Sequence, residues 1–137
     1  MEKLLVAYDG SKQAEKAYKL ALAMASKFSA RIIVLSVARL PEPPVAVELE
    51  AVLESASEYY EGHFKSMKEL AKSLDIDATF EVRAGHPAEQ IVHIADEENA
   101  DAIVMGHRGE SLLQRWLVGS VAKRVLSYAH CTVIVVR

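Results

Sequence analysis

The chain has 137 residues, 51% of them hydrophobic and 26% charged, with a formal net charge of -3. That length suits one domain spanning residues 1–137, large enough to bury roughly two-thirds of its unfolded surface, and the composition is that of an ordinary globular protein. No apolar run approaches the roughly 18 residues of a membrane span, and no Lys/Arg block offers the basic stripe with which nucleic-acid binders neutralise phosphates. Membrane and nucleic acid are therefore not expected partners. Met1-Glu2-Lys3 leads straight into a strand-like run, so no signal peptide is predicted. With Cys131 as the single cysteine, the expected location is the reducing cytoplasm. Cys131 itself reads as a small strand residue rather than a nucleophile.

Strand and helix patterns alternate along the chain. Lys3 to Tyr8 is a short apolar run halted by the turn signal Asp9-Gly10-Ser11. Ala14, Ala17, Tyr18, Ala21, Met24, Ala25 and Phe28 then recur at helical spacing, opposite a face of Lys, Gln and Glu. Ile32 to Val37 is a second apolar strand. Leu40-Pro41-Glu42-Pro43-Pro44 reads as a connecting loop. A long helix is predicted from about Val47 to Leu74, with Leu49, Val52, Leu53, Ala56, Tyr60, Phe64, Met67, Leu70, Ala71 and Leu74 as its apolar stripe and Gly62 as a point of weakness. Ile76 to Arg83 alternates with period two, the pattern of an edge strand covered on one face.

Gly85-His86-Pro87 opens a third helix with Pro near the first helical position, and Ala88, Ile91, Val92 and Ala95 form its buried side. Asp101 to Met105 is apolar on both faces and ends at Gly106. A glycine-punctuated loop follows, then a helix from about Gly119 to Tyr128 and a last strand, Thr132 to Val136. Alternation of this kind, with strands apolar on both faces, predicts an α/β fold: a five-stranded parallel doubly wound sheet covered by helices on both faces. Placing the alternating third strand at one edge gives the flavodoxin-like order 3-2-1-4-5. The order then reverses between the first and fourth strands, and ligands of such sheets bind at the carboxyl ends of strands where it reverses. That rule selects the turn at Asp9 and the loop from Gly106.

The second of these is Gly106-His107-Arg108-Gly109, then Glu110 to Val118, then Gly119-Ser120, a G-x2-G-x9-G-S pattern. Glycine lets backbone N–H groups converge on an anion, and the start of the final helix offers free N–H groups to a phosphate. A chain of this length shows the pattern by chance roughly once in 200. It is neither the G-x4-G-K-[ST] loop of common NTPases nor a G-x-G-x-x-G dinucleotide fingerprint. Arg108, between two loop glycines, is placed to clamp phosphate. Asp9 reads either as a cap on the first helix or as a ligand contact, and the two roles are compatible.

Val104 to Gly109, continued by Gly119-Ser120-Val121-Ala122, resembles the nucleotide loop of the ATP-binding branch of the universal stress protein family. Leu5 to Ser11 is similar to that family's first strand and Asp-containing turn, and Gly85 to Ile91 to its third helix entry. The resemblance spans the chain. It implies one Rossmann-like nucleotide-binding domain, a homodimer, adenine-nucleotide binding (ATP or AMP, with or without Mg2+) and a role in stress survival. It assigns Asp9 and the backbone around Val37 to the adenosine side, and Ala7, Tyr8 and Met105 to the nucleotide site. Gly106, His107, Arg108 and Gly109 would surround ribose and phosphates, and Gly119, Ser120 and Val121 would meet phosphate at the helix start. Glu110 departs from the pattern, since a carboxylate there repels a terminal phosphate unless it turns to solvent or holds a metal. ATP and AMP both stay open.

The last strand, Thr132, Val133, Ile134, Val135 and Val136, carries no charge or Pro to blunt an edge. Such a strand at a sheet margin invites a twofold antiparallel pairing with a second copy. His63, His86, His93 and His130 show no metal-site spacing, and His63 and His93 read as ordinary surface or boundary residues. Trp116 reads as packing the loop onto the body. Three other functions compete: a slow ATPase or nucleotide hydrolase, which lacks an evident Mg2+ carboxylate pair or oriented base; a ligand-free dimerisation module; and a phosphoacceptor receiver domain, which would need Asp where Arg83-Ala84-Gly85 stands. No catalytic residue is assigned.

Overall fold

The computed structural model describes residues 1–39, 49–107 and 119–137. The expected loop at Leu40–Pro44, the helix start at Val47, and Arg108, Gly109, Glu110 and Trp116 lie outside them. The elements in chain order are β1 (Lys3–Ala7), α1 (Lys12–Phe28), β2 (Arg31–Ala38), α2 (Leu49–Ser73), β3 (Ala78–Ala84), α3 (Pro87–Glu97), β4 (Ala102–Gly106), α4 (Ser120–Tyr128) and β5 (Thr132–Val136). The five strands form one sheet in the order β3-β2-β1-β4-β5, with every pairing parallel. This is the predicted architecture.

Register explains how one sheet feeds two cores. Leu4 stands opposite Ile32 and Ala102, and Leu5 opposite Ile33 and Ile103. Because successive side chains point to opposite faces, Leu4, Val6, Ile32, Val34, Ala102 and Val104 meet Tyr18 and Ala21 of α1 and Phe64 and Met67 of α2. On the other face Leu5, Leu35, Ile103 and Met105 meet Ile91 and Ile94 of α3 and Ala122 and Val125 of α4. Each fully buried Leu, Ile or Val contributes about 1.5–3 kcal/mol. β3 is one-sided, as its alternation predicts: Ala78, Phe80 and Val82 pack on the α1/α2 layer, while Glu81 pairs with Arg83 at 2.6 Å.

Three helices stop in the same way. Ser29, Asp75 and Asn99 adopt left-handed φ of 55°, 58° and 53° after α1, α2 and α3. The following N–H groups of Ala30, Ile76 and Ala100 return to the carbonyls of Ala25, Ala71 and Ala95, the longer bond of a Schellman cap. Each stop turns the chain into the next strand.

Four expected core positions are not core. Phe28, Leu49, Leu70 and Leu74 are exposed. α2 has 25 residues and β3 has seven, so the helix is about 37 Å long over a strand of about 23 Å, and its ends overhang. Phe28 is the last residue of α1. Cys131, expected as a strand residue, immediately precedes the last strand. On α3 the buried side is Ala88, Ile91, Ile94 and Ala95, with Val92 only half-buried. Gly62 does not interrupt α2, which runs continuously through it.

Candidate functional site

A crevice of about 580 Å3 opens at the carboxyl ends of β1 and β4, where the strand order reverses. Its volume falls within the usual range of small-molecule pockets. Ala7, Tyr8 and Asp9 from the end of β1 form its floor, with Ser11 and Ala14 from the start of α1. Met105 and Gly106 come from β4, and Gly119, Ser120, Val121 and Ala122 from the start of α4. The far wall holds Leu35, Val37 and Arg39 of the β2 side, Tyr60 of α2, and Pro87 and Ile91 of α3. Two segments nearly a hundred residues apart in the chain thus share one cavity.

The turn after β1 is built from its own side chains. Asp9 Oδ1 accepts the N–H of Ser11 at 2.9 Å. Ser11 Oγ in turn accepts the N–H of Ala14 at 3.1 Å, so Ser11 is the N-cap of α1. The capping role considered for Asp9 falls to Ser11, because the Asp carboxylate closes the preceding turn instead. Gly10 between them has φ 86°, a conformation side chains disfavour. The backbone of Tyr8 is tied on both sides. Its N–H donates to the Leu35 carbonyl at 2.9 Å, and its carbonyl accepts Ser36 Oγ–H at 2.7 Å.

The end of β4 and the start of α4 are clipped together. His107 donates its N–H to the Val136 carbonyl and accepts the Gly119 N–H on its own carbonyl, both at 2.7 Å. Gly119 is the N-cap of α4, extended at φ -59° and ψ 152°, with no side-chain cap. The first helical bond runs from Lys123 N–H to the Gly119 carbonyl at 2.9 Å. The amides of Ser120, Val121 and Ala122 therefore precede the helical ladder, where N–H groups carry partial positive charge. All three residues line the crevice. The N–H of Gly119 is already committed to His107, so this glycine turns the chain while the next three residues offer the donors.

Of the residues expected from sequence, Ala7, Tyr8, Asp9, Val37, Met105, Gly106, Gly119, Ser120 and Val121 are brought together in the crevice. His107 is not among the described lining residues; its ring Nδ1 is buried and has no hydrogen-bond partner among the described residues. Arg108 and Gly109 lie outside the described residues. Sequence reasoning did not single out Arg39, Tyr60, Pro87, Ile91 or Ala122 for the site. Arg39 lies just past the end of β2, two positions after Val37, a nearness that was legible. Tyr60 had none, since its place follows from where α2 lies on the sheet.

Asp9 and Arg39 are the formal charges among the described lining residues. Burial pushes the Tyr8 phenol up to about 12, with Glu15, Tyr59 and Asp9 adding to the rise, so it stays protonated at any working pH. Among the described residues no group of three His, Cys, Asp or Glu could hold a metal, and no helix is long and apolar enough to cross a membrane.

The model of the universal stress protein family matches residues 1–137. A universal stress protein of Methanocaldococcus jannaschii is 35% identical over 139 residues, covering 99% of this chain and 82% of that protein. Among solved structures, the universal stress protein UspA of Lactobacillus plantarum superposes with a TM-score of 0.83 at 24% identity, over 99% of this chain and 97% of the other. A universal stress protein in complex with cAMP gives 0.76 at 23%, over 99% and 97%. One from Archaeoglobus fulgidus in complex with dAMP gives 0.67 at 22%, over 100% and 98%. These three likenesses establish a shared fold.

Proposed function

The chain belongs to the universal stress protein family, and from that we propose that its crevice binds an adenine nucleotide, ATP or AMP. The observation that carries the reading is the set of three unladdered amides, Ser120, Val121 and Ala122, in a cavity also lined by apolar and aromatic side chains (Leu35, Val37, Tyr60, Ile91, Met105) and by Asp9 and Arg39. Phosphate suits the amides, and a base suits the walls. Complexes with cAMP and dAMP among similarly folded proteins support an adenine ligand.

In this reading Ala7, Tyr8, Asp9, Val37 and Met105 face adenosine. Gly106 allows close approach, and His107, Arg108 and Gly109 attend ribose and phosphates. Ser120 adds a hydroxyl donor to the helix-start amides. Glu110 bears on the choice between ATP and AMP, and a Mg2+ ion accompanying the triphosphate would offset its charge.

The protein acts as a cytoplasmic homodimer in stress regulation, binding rather than turning over its ligand. β5 supports the dimer: it closes the sheet order with one paired neighbour, β4, and its Val133 to Val136 are only half-buried. Sedimentation at micromolar concentration is expected to show twice the 15.1 kDa chain mass; a 15 kDa species alone would remove the dimer.

The first experiment is acid extraction of copurifying nucleotide with identification by mass spectrometry, followed by titration with ATP, AMP and Mg2+. Recovery or saturable binding of an adenine nucleotide is the expected result. No copurifying nucleotide and no binding would return the chain to a ligand-free dimer. Phosphate release from ATP and Mg2+ at many turnovers per minute would make it a hydrolase.

A further inference from the structure

Tyr8 and Tyr60 both line the crevice, but the side chain that ties them together lies behind it. Tyr8 Oη stands 3.0 Å from Nδ1 of His63, which is half-buried on α2. The Tyr8 ring is edge-on to Tyr60 at 6.2 Å and to His63 at 5.9 Å. Tyr60 stacks on Phe64 at 5.7 Å. His63 follows Tyr60 by three residues, so both project from one face of α2. An imidazole that read as an ordinary boundary residue is joined to the first strand across 55 positions.

We propose that His63 is a positioning residue of the nucleotide site: through the Tyr8 hydroxyl it holds the α2 wall, and with it the Tyr60 ring, at the spacing the ligand requires. The proposal rests on the adenine-nucleotide reading above. Among the described lining residues α2 contributes Tyr60 alone, so the place of this wall depends on how α2 is anchored. Two tyrosine hydroxyls reach it. Tyr18 donates to the Met67 carbonyl at 2.6 Å, seven residues beyond Tyr60, whereas the Tyr8 bond sits within one turn of it. With the imidazole hydrogen on Nε2, Nδ1 accepts the hydrogen bond from the Tyr8 hydroxyl. Holding two rings in their bound arrangement before the ligand arrives removes part of the ordering cost of binding.

The test is calorimetric titration of wild type, Tyr8→Phe, His63→Leu, the double variant and His63→Asn with ATP and with AMP, alongside thermal melting. Loss of one neutral hydrogen bond is expected to weaken binding about 2- to 10-fold in each of the first two variants. The double variant should be no worse than either single one, because both remove the same bond. His63→Asn, whose amide oxygen takes the place of Nδ1 as acceptor, should recover most of the affinity. In wild type the 15N resonance of His63 Nδ1 should show a hydrogen-bonded nitrogen before nucleotide is added and keep that position afterwards, a readout that does not depend on any variant folding. Folded single variants that bind like wild type, additive losses in the double variant, an Asn variant as weak as the Leu one, or a His63 Nδ1 resonance without a hydrogen bond in the nucleotide-free protein would each overturn the proposal. Wild type that binds neither nucleotide would overturn the site reading itself, and this proposal with it.

Discussion

Gly106, the last residue of β4, lies so close to Gln13 in the first turn of α1 that a β-carbon added to it would sit 2.8 Å from Gln13 Cβ and 3.0 Å from its carbonyl carbon. The first glycine of the G-x2-G-x9-G-S pattern is therefore required for a packing reason. It lets the end of β4 touch the start of α1, which brings the two loops of the crevice to one place.

Replacing this glycine should therefore act on both stability and site. Gly106→Ala must push α1 or the end of β4 aside, because the clashing atoms are backbone and a Cβ rather than a flexible tip. A loss of about 1–3 kcal/mol in urea denaturation is expected, together with weakened nucleotide binding. A variant with wild-type midpoint and affinity would show that the contact relaxes freely.

Ser120→Ala separates ligand binding from folding. The side chain is exposed at the first position of α4, so its loss should leave the melting temperature within about 0.5 kcal/mol equivalent of wild type. Nucleotide affinity should fall by about 1.5–3 kcal/mol, the range for a hydrogen bond to a charged group. Equal affinities by titration calorimetry would remove the hydroxyl from the site.

Gly62→Ala should stabilise the protein. A β-carbon at Gly62 meets nothing within 4 Å, and the residue is exposed within α2. Restricting the unfolded chain at such a position contributes about 0.4–1 kcal/mol. A rise in the denaturation midpoint with unchanged nucleotide affinity is the expected outcome, and a fall would mean that the extra methyl strains the helix.

Asp101 makes the N-terminal strand acid-sensitive. Its Oδ2 accepts the N–H groups of Glu2 at 2.7 Å and Lys3 at 2.9 Å, which hold its carboxyl below the usual carboxylate range. The folded state thus binds fewer protons than the unfolded state near the ordinary Asp pKa of about 3.9. The resulting stabilisation is present above that value and is lost as pH falls through the folded value. Asp101→Asn should be less stable than wild type at pH 7, and the gap in urea midpoint should narrow below about pH 4. A gap independent of pH would assign the effect to shape alone.

The two-sided apolar runs Lys3–Tyr8 and Asp101–Met105, the one-sided alternation at Ile76–Arg83 and the helical stripes between them were enough to place five strands in the observed order. These signals are local: a period and a stop residue report how many faces of an element are buried, and the topology follows from few alternatives. The strand order then located the crevice, and the glycine pattern pointed to its second wall. Side-chain roles were less legible. Whether Asp9 or Ser11 caps α1 depends on how the turn closes, and both residues are good caps in isolation.

Contacts between elements distant in the chain could be decided only by folding. His63 reads as an ordinary surface or boundary residue of its helix, and only the seating of α2 beside the end of β1 brings its ring to the Tyr8 hydroxyl. Tyr60 enters the crevice for the same reason. The commitment of the Gly119 N–H to His107, which leaves the amides of Ser120 to Ala122 as the donors, depends on two backbone segments meeting across twelve positions. Period and composition describe the burial demanded of each residue, whereas hydrogen bonds between elements are set by rigid-body placement, to which a one-dimensional pattern is blind.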